Sequence, residues 1–106
     1  MINNVILNDL SYIKKCFLYR VEVCDSLKAI ADKFHTTQRV IAVLNGLDGE
    51  VRAGEYILVE RVDGEEYIVK PTDTLEMIAQ NNIEKIQEIK RKNRIDYIYV
   101  GQKIFI

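Results

Sequence analysis

The sequence predicts an α+β chain built from two tandem modules, each with the element order strand, helix, helix, strand. Two observations predict this architecture: a segment that recurs at constant spacing, and a change of hydrophobic period from two to about 3.6 within each copy. The composition agrees, because 48% of the 106 residues are hydrophobic and 29% are charged. These values are typical of a folded chain and exclude the disordered and collagen-like classes.

The repeat relates residues 19–31 to residues 67–79, and each matched pair lies 48 positions apart. The same spacing relates Asn45 to Asn93. One residue is then lost from the second copy, so that the closing segments match at a spacing of 47. We therefore divide the chain into an N-terminal extension (1–18), module 1 (19–59), a short junction (60–66) and module 2 (67–106).

The elements of module 1 follow from local patterns. Tyr19, Val21 and Val23 alternate with polar residues, which predicts a strand with one buried face. Asp25 then stands where a helix N-cap belongs, and Thr37 is placed to cap a second helix that runs through residue 44. A closing strand is predicted within residues 54–59. The predicted core of this module consists of Leu27, Ile30, Phe34, Ile41 and Leu44.

Module 2 repeats this order, with helices predicted over residues 73–81 and 83–92 and a strand within residues 101–106. Asp73 is the predicted N-cap of the first of these helices, and Glu76 three residues later strengthens the capping pattern. Apolar residues recur at helical spacing in both helices. The predicted core of this module consists of Leu75, Ile78, Ile86 and Ile89.

Two segments lie outside the repeats. In the junction, Asp63 and Gly64 stand between alternating residues, which predicts a hairpin turn. In the extension, residues 5–7 are compatible with a strand and residues 9–15 with a helical turn, and the sequence leaves both open. The extension has neither a basic region nor the apolar core of roughly 7 to 15 residues that a secretory signal requires, so we expect synthesis into the cytoplasm.

Charge and residue inventory exclude several functions. The chain has 15 Lys+Arg and 16 Asp+Glu, which excludes nucleic-acid binding by bulk electrostatics. His35 is the only histidine and lies in a predicted turn, so we expect no catalytic residue, metal or cofactor. Cys16 and Cys24 lack the spacing of a zinc site and are expected to be reduced thiols. The basic residues 90–94 are compatible with contact to the phosphates of a wall polymer or nucleic acid, but they are interpreted as a solvated helix face, because Glu84 and Glu88 lie on the same helix.

The pattern Tyr-x-Val-x-x-x-Asp-[Ser/Thr]-Leu-x-x-Ile-Ala, followed by Asn and then by Gly-x-x-Ile-x-[Val/Ile], resembles the LysM module. The resemblance covers residues 19–59 and 67–106. It implies that each copy is a two-stranded antiparallel sheet packed on two short helices and that it binds glycans containing N-acetylglucosamine. The family commonly has Gly immediately before the Asp, where this chain has Cys24 and Thr72.

The resemblance also implies a shallow groove between the loop after the first strand and the loop before the last strand. In module 1 the groove residues are Val23, Cys24, Asp25, Ser26 and Leu27, facing Leu47, Asp48, Gly49 and Val51. In module 2 they are Pro71, Thr72, Asp73, Thr74 and Leu75, facing Ile95, Asp96, Tyr97 and Ile98. We expect backbone groups to hold the acetamido group of the sugar while apolar side chains cover its rings. On addition of N-acetylglucosamine oligomers, the amides of module 2 should shift more strongly than those of module 1, because Pro71 stiffens its loop and Tyr97 offers an aromatic face.

These expectations indicate a non-catalytic protein that binds peptidoglycan, or another N-acetylglucosamine polymer such as chitin, in a cell wall, spore envelope or tail-like particle. The alternative is an adaptor that contacts other proteins in such an assembly and has lost sugar binding. The lack of a signal peptide and the residues Cys24 and Thr72 favour this alternative. Neither hypothesis involves nucleic acid or a membrane.

Overall fold

The structure, a computed structural model, describes residues 15–106 and divides the chain after Arg61 into two compact units. The predicted fold class is confirmed, since each unit contains a two-stranded antiparallel sheet and two helices in the order strand, helix, helix, strand. The expectations for residues 5–7 and 9–14 lie outside the described residues. None of the helices in residues 15–106 is both long enough and apolar enough to span a bilayer.

The elements of module 1 are β1 (Cys16–Arg20), α1 (Leu27–Lys33), α2 (Gln38–Asn45) and β2 (Tyr56–Glu60). β1 pairs with β2 in antiparallel register, with Leu18 opposite Leu58. The first strand thus begins earlier than Tyr19, where the predicted alternation starts. Val23 lies beyond the strand in the following turn and is 80% exposed, because the chain reverses there before α1 begins.

The core of module 1 lies between its sheet and its helices. Leu27, Ile30 and Ile41 are buried as predicted, and Phe34 packs against their cluster. Phe34 also makes edge-to-face contacts with two aromatic rings of β1, at centroid distances of 4.9 and 5.1 Å. Leu44, which was predicted to be a core residue, is only half-buried, because the apolar face of α2 is centred one turn earlier, where Ile41 is fully buried.

The elements of module 2 are β3 (Glu66–Ile68), α3 (Leu75–Ile78), α4 (Ile83–Asn93) and β4 (Lys103–Phe105). β3 pairs with β4 in antiparallel register. α3 is shorter than the predicted span of 73–81, because Gln80 and Asn81 have φ angles of 55° and 60°. Left-handed residues cannot continue a right-handed helix, so the chain turns there and α4 begins.

The core of module 2 repeats that of module 1. Leu75 and Ile89 are buried as predicted, while Ile78 and Ile86 are half-buried and pack against them. Ile104 of β4 is fully buried in the same cluster. The second compact unit, residues 62–106, therefore encloses its own apolar cluster, although it contains only about 45 residues.

An asparagine at the end of the second helix joins the helix to the last strand in each module. In module 2, Asn93 Nδ2 donates to the carbonyls of Ile89 and Phe105 at 2.8 Å each, and Asn93 Oδ1 accepts from the Phe105 N–H at 2.9 Å. Asn45 makes the same three contacts in module 1, at 2.8, 2.8 and 2.7 Å. The repeated asparagine thus satisfies both backbone groups of one residue in the last strand.

The prediction of a hairpin turn at Asp63 and Gly64, which would pair β2 with β3, is wrong. Within the described residues, β2 pairs with β1 and β3 pairs with β4, in two separate two-stranded sheets. Instead, Glu65 exchanges two backbone hydrogen bonds with Ile106, at 3.1 and 3.0 Å, which extends the β3–β4 ladder. Gly64 has a φ of 112°, and a Cβ at this position would clash with the carbonyl of Ile106. The glycine therefore permits close approach of two backbone segments within the second compact unit.

Candidate functional site

The first helix of each module is capped by a hydroxyl residue. Ser26 Oγ and Thr74 Oγ1 each accept a hydrogen bond from the backbone N–H three residues ahead, at 3.1 Å in both modules. Both residues have the extended backbone of an N-cap, with φ angles of −133° and −127°. The prediction that Asp25 and Asp73 are the N-caps is therefore wrong. The caps are the residues that follow them, Ser26 and Thr74, and the two aspartates have other hydrogen-bond partners.

In module 1, Asp25 closes the loop that follows β1. Its Oδ2 atom accepts hydrogen bonds from the Tyr19 hydroxyl at 2.7 Å and from the Glu22 N–H at 2.8 Å. The Asp25 N–H in turn donates to the Glu22 carbonyl at 3.1 Å, which completes a four-residue turn. The aspartate thereby connects the end of the strand, the turn and the start of α1.

The same arrangement recurs in module 2. Asp73 Oδ2 accepts from the Tyr67 hydroxyl at 2.5 Å and from the Lys70 N–H at 2.8 Å. The Asp73 N–H donates to the Lys70 carbonyl at 3.1 Å. The repeated tyrosine and aspartate of the sequence are therefore a hydrogen-bonded pair that fixes one wall of the candidate groove.

These hydrogen bonds shift the ionisation of both partners. Donation from the Tyr19 hydroxyl, followed by donation from the Glu22 N–H, lowers the pKa of Asp25 below its usual value. The carboxylate in turn raises the pKa of Tyr19 to about 12, since the phenol would lose this hydrogen bond on ionising. The pKa of Asp73 is lowered and that of Tyr67 is raised for the same reason.

Acidification should reduce the stability of both modules. A carboxyl group with a lowered folded pKa contributes stability that is complete above its unfolded pKa of about 4 and is lost as the pH falls below that value. Tyr19→Phe removes the largest cause of the Asp25 shift and should flatten this acid dependence. Urea unfolding between about pH 2 and pH 6 measures it, with Arg20→Lys as the control variant. An identical pH profile in Tyr19→Phe and the parent would contradict the assignment.

Cys24 occupies a strained position in the turn after β1. Its φ is 74° at the third residue of the four-residue turn, a value that glycine adopts without cost. Thr72, the corresponding residue of module 2, is not among the residues with positive φ, and Pro71 precedes it. The two turns therefore differ in backbone conformation, although their hydrogen bonds are the same.

Cys24→Gly should therefore stabilise module 1 by about 1 kcal/mol, because it removes the steric cost of a left-handed residue with a Cβ. Thr72→Gly is the matched control and should destabilise module 2 slightly, because glycine adds freedom to the unfolded chain and relieves no strain. Thermal unfolding of both variants under reducing conditions measures the difference. A lower melting temperature for Cys24→Gly than for the parent would contradict the interpretation.

In module 1 the predicted groove residues separate into core and surface. Leu27 and Val51 are buried members of the core, and Leu47 packs against them. Asp25 and Ser26 are half-buried in the turn and the helix cap. The exposed groove residues of this module are Val23, Cys24, Asp48 and Gly49.

Glu50 belongs to the candidate groove, although no sequence pattern predicts it. One carboxylate oxygen of Glu50 accepts from the Leu27 N–H at 2.6 Å and from the Val51 N–H at 3.1 Å. Glu50 thus connects the two walls of the candidate groove. No periodic pattern marks this contact in the sequence, because it joins positions 23 residues apart.

The corresponding residues of module 2 also separate into core and surface. Leu75 and Ile95 are buried in the core and Ile98 packs against them, so the two loops share one apolar base. Asp73 is half-buried. Tyr97 is 74% exposed. The other exposed groove residues of this module are Pro71, Thr72, Thr74 and Asp96.

A basic cleft adjoins the second loop of module 2. It has a volume of about 470 Å³ and is open to solvent. Three cationic side chains and one carboxylate contribute to its lining, which consists of Gln87, Lys90, Arg91, Arg94, Ile95 and Asp96. The predicted basic helix face therefore forms one side of a concave surface.

The described residues 15–106 contain no group of three or more His, Cys, Asp or Glu side chains that could hold a metal ion. Cys16 and Cys24 are free thiols. The two loops offer a ligand backbone polar groups, apolar side chains, the exposed carboxylates of Asp48 and Asp96 and, in module 2, an exposed aromatic ring. These are the groups that recognise a neutral, acetylated sugar.

Comparison with solved structures found the spore cortex-lytic enzyme SleL from Bacillus cereus, with 25% sequence identity and a TM-score of 0.42. The spore cortex-lytic enzyme SleL from Bacillus megaterium QM B1551 is 24% identical, with the same TM-score of 0.42. Each match covers 87% of this chain and 22% of the enzyme, so the chain spans about a fifth of the length of either enzyme. No curated protein sequence matches the chain.

The family model of the LysM domain matches residues 19–59 and, a second time, residues 67–106. The two matches together cover well over half of the chain and coincide with its two copies of the βααβ unit. LysM domains are non-catalytic modules that bind N-acetylglucosamine-containing glycans such as peptidoglycan. The chain therefore belongs to the LysM domain family, with one domain in each module.

Proposed function

We propose that this protein binds peptidoglycan, or a related N-acetylglucosamine polymer, without catalysing a reaction on it. The ligand lies in the candidate groove between the loop after the first strand and the loop before the last strand of a LysM domain. This groove is the glycan cleft of the module and is distinct from the basic cleft. The observation that carries this proposal is the pair of family matches, each of which includes both loops of its module. The proposed site of action is a cell wall, a spore envelope or a tail-like particle.

The geometry of the loops supports this proposal. The Tyr67–Asp73 pair fixes the first loop of module 2, and Leu75 and Ile95 anchor the two loops in one core. A cleft whose walls are already positioned loses little conformational freedom when a sugar enters. Because N-acetylglucosamine carries no charge, its recognition requires hydrogen-bonding backbone groups and apolar contact rather than ion pairs.

One observation favours a second candidate function, that of an adaptor within a protein assembly. Leu18 and Tyr56 are each 63% exposed, and Leu58, the partner of Leu18 across the strands, is 40% exposed. These side chains give the outer face of the β1–β2 sheet an apolar character. Adjacent exposed apolar side chains are typical of protein interaction surfaces. A protein partner at this face would leave the glycan clefts free.

The two functions are separated by retention on insoluble peptidoglycan and chitin, combined with amide NMR titration using N-acetylglucosamine oligomers. Glycan binding predicts retention and shifts at the cleft loops that persist at high salt, because the ligand is neutral. A variant with Lys90→Gln and Arg91→Gln in the basic cleft should bind equally well. Salt-sensitive shifts confined to residues 85–94 would show that the ligand contacts the basic helix face and not the cleft loops. No retention and no shifts at millimolar ligand would refute glycan binding and support the adaptor.

A further inference from the structure

We infer that the two LysM domains are not equivalent: Glu50 closes the cleft of module 1, and the glycan is bound by the cleft of module 2. This inference rests on the proposed function and adds which domain performs it. It depends on a contact between the two cleft walls of module 1 and on the residue that replaces Glu50 in module 2.

The contact in module 1 uses the groups that a sugar would need. Glu50 Oε1 accepts from the Leu27 N–H, at 2.6 Å, and from the Val51 N–H, at 3.1 Å. Leu27 lies in the first wall of the cleft and Val51 in the second, so one oxygen atom joins both walls. Hydrogen bonds to a charged acceptor are about twice as strong as those between neutral groups. An acetamido group must displace this carboxylate before it can use the Leu27 N–H.

The structure also identifies the residue that stands in the place of Glu50 in module 2. In module 1, the Arg52 N–H donates to Glu55 Oε1 at 2.6 Å. The same contact recurs 47 positions later, where the Tyr99 N–H donates to Gln102 Oε1 at 3.0 Å. A spacing of 47 aligns Tyr97 with Glu50. Module 2 therefore has an aromatic residue where module 1 has the carboxylate.

This exchange leaves the second cleft open. Tyr97 is 74% exposed, and no described residue of the chain accepts a hydrogen bond from the Leu75 N–H, the counterpart of the Leu27 N–H. A tyrosine ring offers an apolar face to a sugar ring and a hydroxyl that remains in water. The turn before α3 contains Pro71, which reduces the freedom that the loop loses on binding. Module 2 thus combines a backbone donor that no described residue engages with an exposed aromatic ring.

The test is an amide NMR titration of the full chain with N-acetylglucosamine tetramer. We expect the amides of residues 71–75 and 95–98 to shift at a ligand concentration at least tenfold lower than those of residues 23–27 and 47–51. Glu50→Ala removes the acceptor and should bring the half-saturation points of the two modules to within about threefold of each other. Glu50→Gln is the matched control, because it keeps a neutral acceptor oxygen and should leave module 1 at least several-fold weaker than in Glu50→Ala.

A second variant keeps the test decisive if Glu50→Ala lowers the stability of module 1. Tyr97→Glu places a carboxylate at the matching position of module 2, on a side chain whose exposure makes loss of folding unexpected. It should weaken binding by module 2 roughly tenfold, which corresponds to about 1.4 kcal/mol. Tyr99→Glu is the control, because it introduces the same charge at a tyrosine that is 61% exposed and is not one of the predicted groove residues; it should bind within about threefold of the parent.

The outcomes separate this inference from the proposed function. Equal shifts of both modules in the parent, or stronger shifts in module 1, would overturn the inference and leave glycan binding intact. A folded Glu50→Ala variant whose module 1 amides remain unshifted would also overturn it. If the parent shows no shifts in either module at millimolar tetramer, the proposed function fails and the inference fails with it.

Discussion

Replacing Asn93 with alanine is expected to unfold module 2, at a cost of about 2 to 6 kcal/mol. The side chain is 1% exposed and satisfies both the N–H and the carbonyl of Phe105, which is itself fully buried. Alanine would remove both hydrogen bonds that Asn93 makes with these backbone groups, and losing a hydrogen bond to a buried group costs roughly 1 to 3 kcal/mol. Domains are stable by only about 5 to 15 kcal/mol, and a module of this size lies at the low end of that range.

Asn45→Ala is the matched control, because Asn45 makes the same three contacts in module 1. The cost should be smaller there, since Asn45 is half-buried and Leu58 is 40% exposed, so that water can replace the lost partner. Urea unfolding, followed by amide signals assigned to each module, gives the two costs separately. Equal losses in the two variants, or an unchanged module 2 in Asn93→Ala, would contradict the interpretation.

Ile30→Ala is expected to destabilise module 1 by about 2 to 5 kcal/mol. Ile30 is 1% exposed and lies in the middle of α1, within the cluster formed by both helices and both strands. Truncation removes the transfer free energy of the buried methyl and methylene groups and leaves a cavity that a close-packed core fills poorly. Such a loss is a large fraction of the stability that so small a core provides.

The corresponding variant of module 2 should be milder. Ile78 is half-buried and packs at the edge of its cluster, so Ile78→Ala exposes a partly solvated site and should cost less than Ile30→Ala. The sequence alone predicts equal effects, because Ile30 and Ile78 are matched at a spacing of 48. Thermal unfolding of both variants measures the difference. A larger loss for Ile78→Ala than for Ile30→Ala would show that the burial of the two positions is misassigned.

Periodic features of the sequence predicted most of the fold. The change of hydrophobic period located the strands and helices, and Thr37 caps α2 as predicted, with its Oγ1 accepting from the Val40 N–H at 3.0 Å. These predictions succeeded because an N-cap and an amphipathic face depend on residues within one or two turns of each other. The recurrence of the pattern at a constant spacing then showed that the chain contains two copies of one module.

Individual side-chain and backbone contacts, some of them between distant residues, determined the rest. Asp25 resembled an N-cap in the sequence, but the Tyr19 hydroxyl and the Glu22 N–H hold its carboxylate in the turn, and Ser26 caps the helix instead. Gly64 resembled part of a hairpin turn. Instead, its φ of 112° and its lack of a Cβ allow the backbone beside Glu65 to pack against Ile106. In both cases a short local motif was compatible with two structures, and packing selected one of them.

The amino-acid sequence by itself determined the family, the order of elements and most of the core, because these properties depend on residue spacing. Pro71 and Tyr97 already favour module 2 in the sequence, but the contact of Glu50 across the cleft of module 1 was decided only by the tertiary structure. Leu27 and Glu50 are 23 positions apart and meet because the folding of module 1 brings the loop after β1 beside the loop before β2. A hydrogen bond of this kind has no period and no local partner, so only the folded chain reveals that Glu50 joins the two walls.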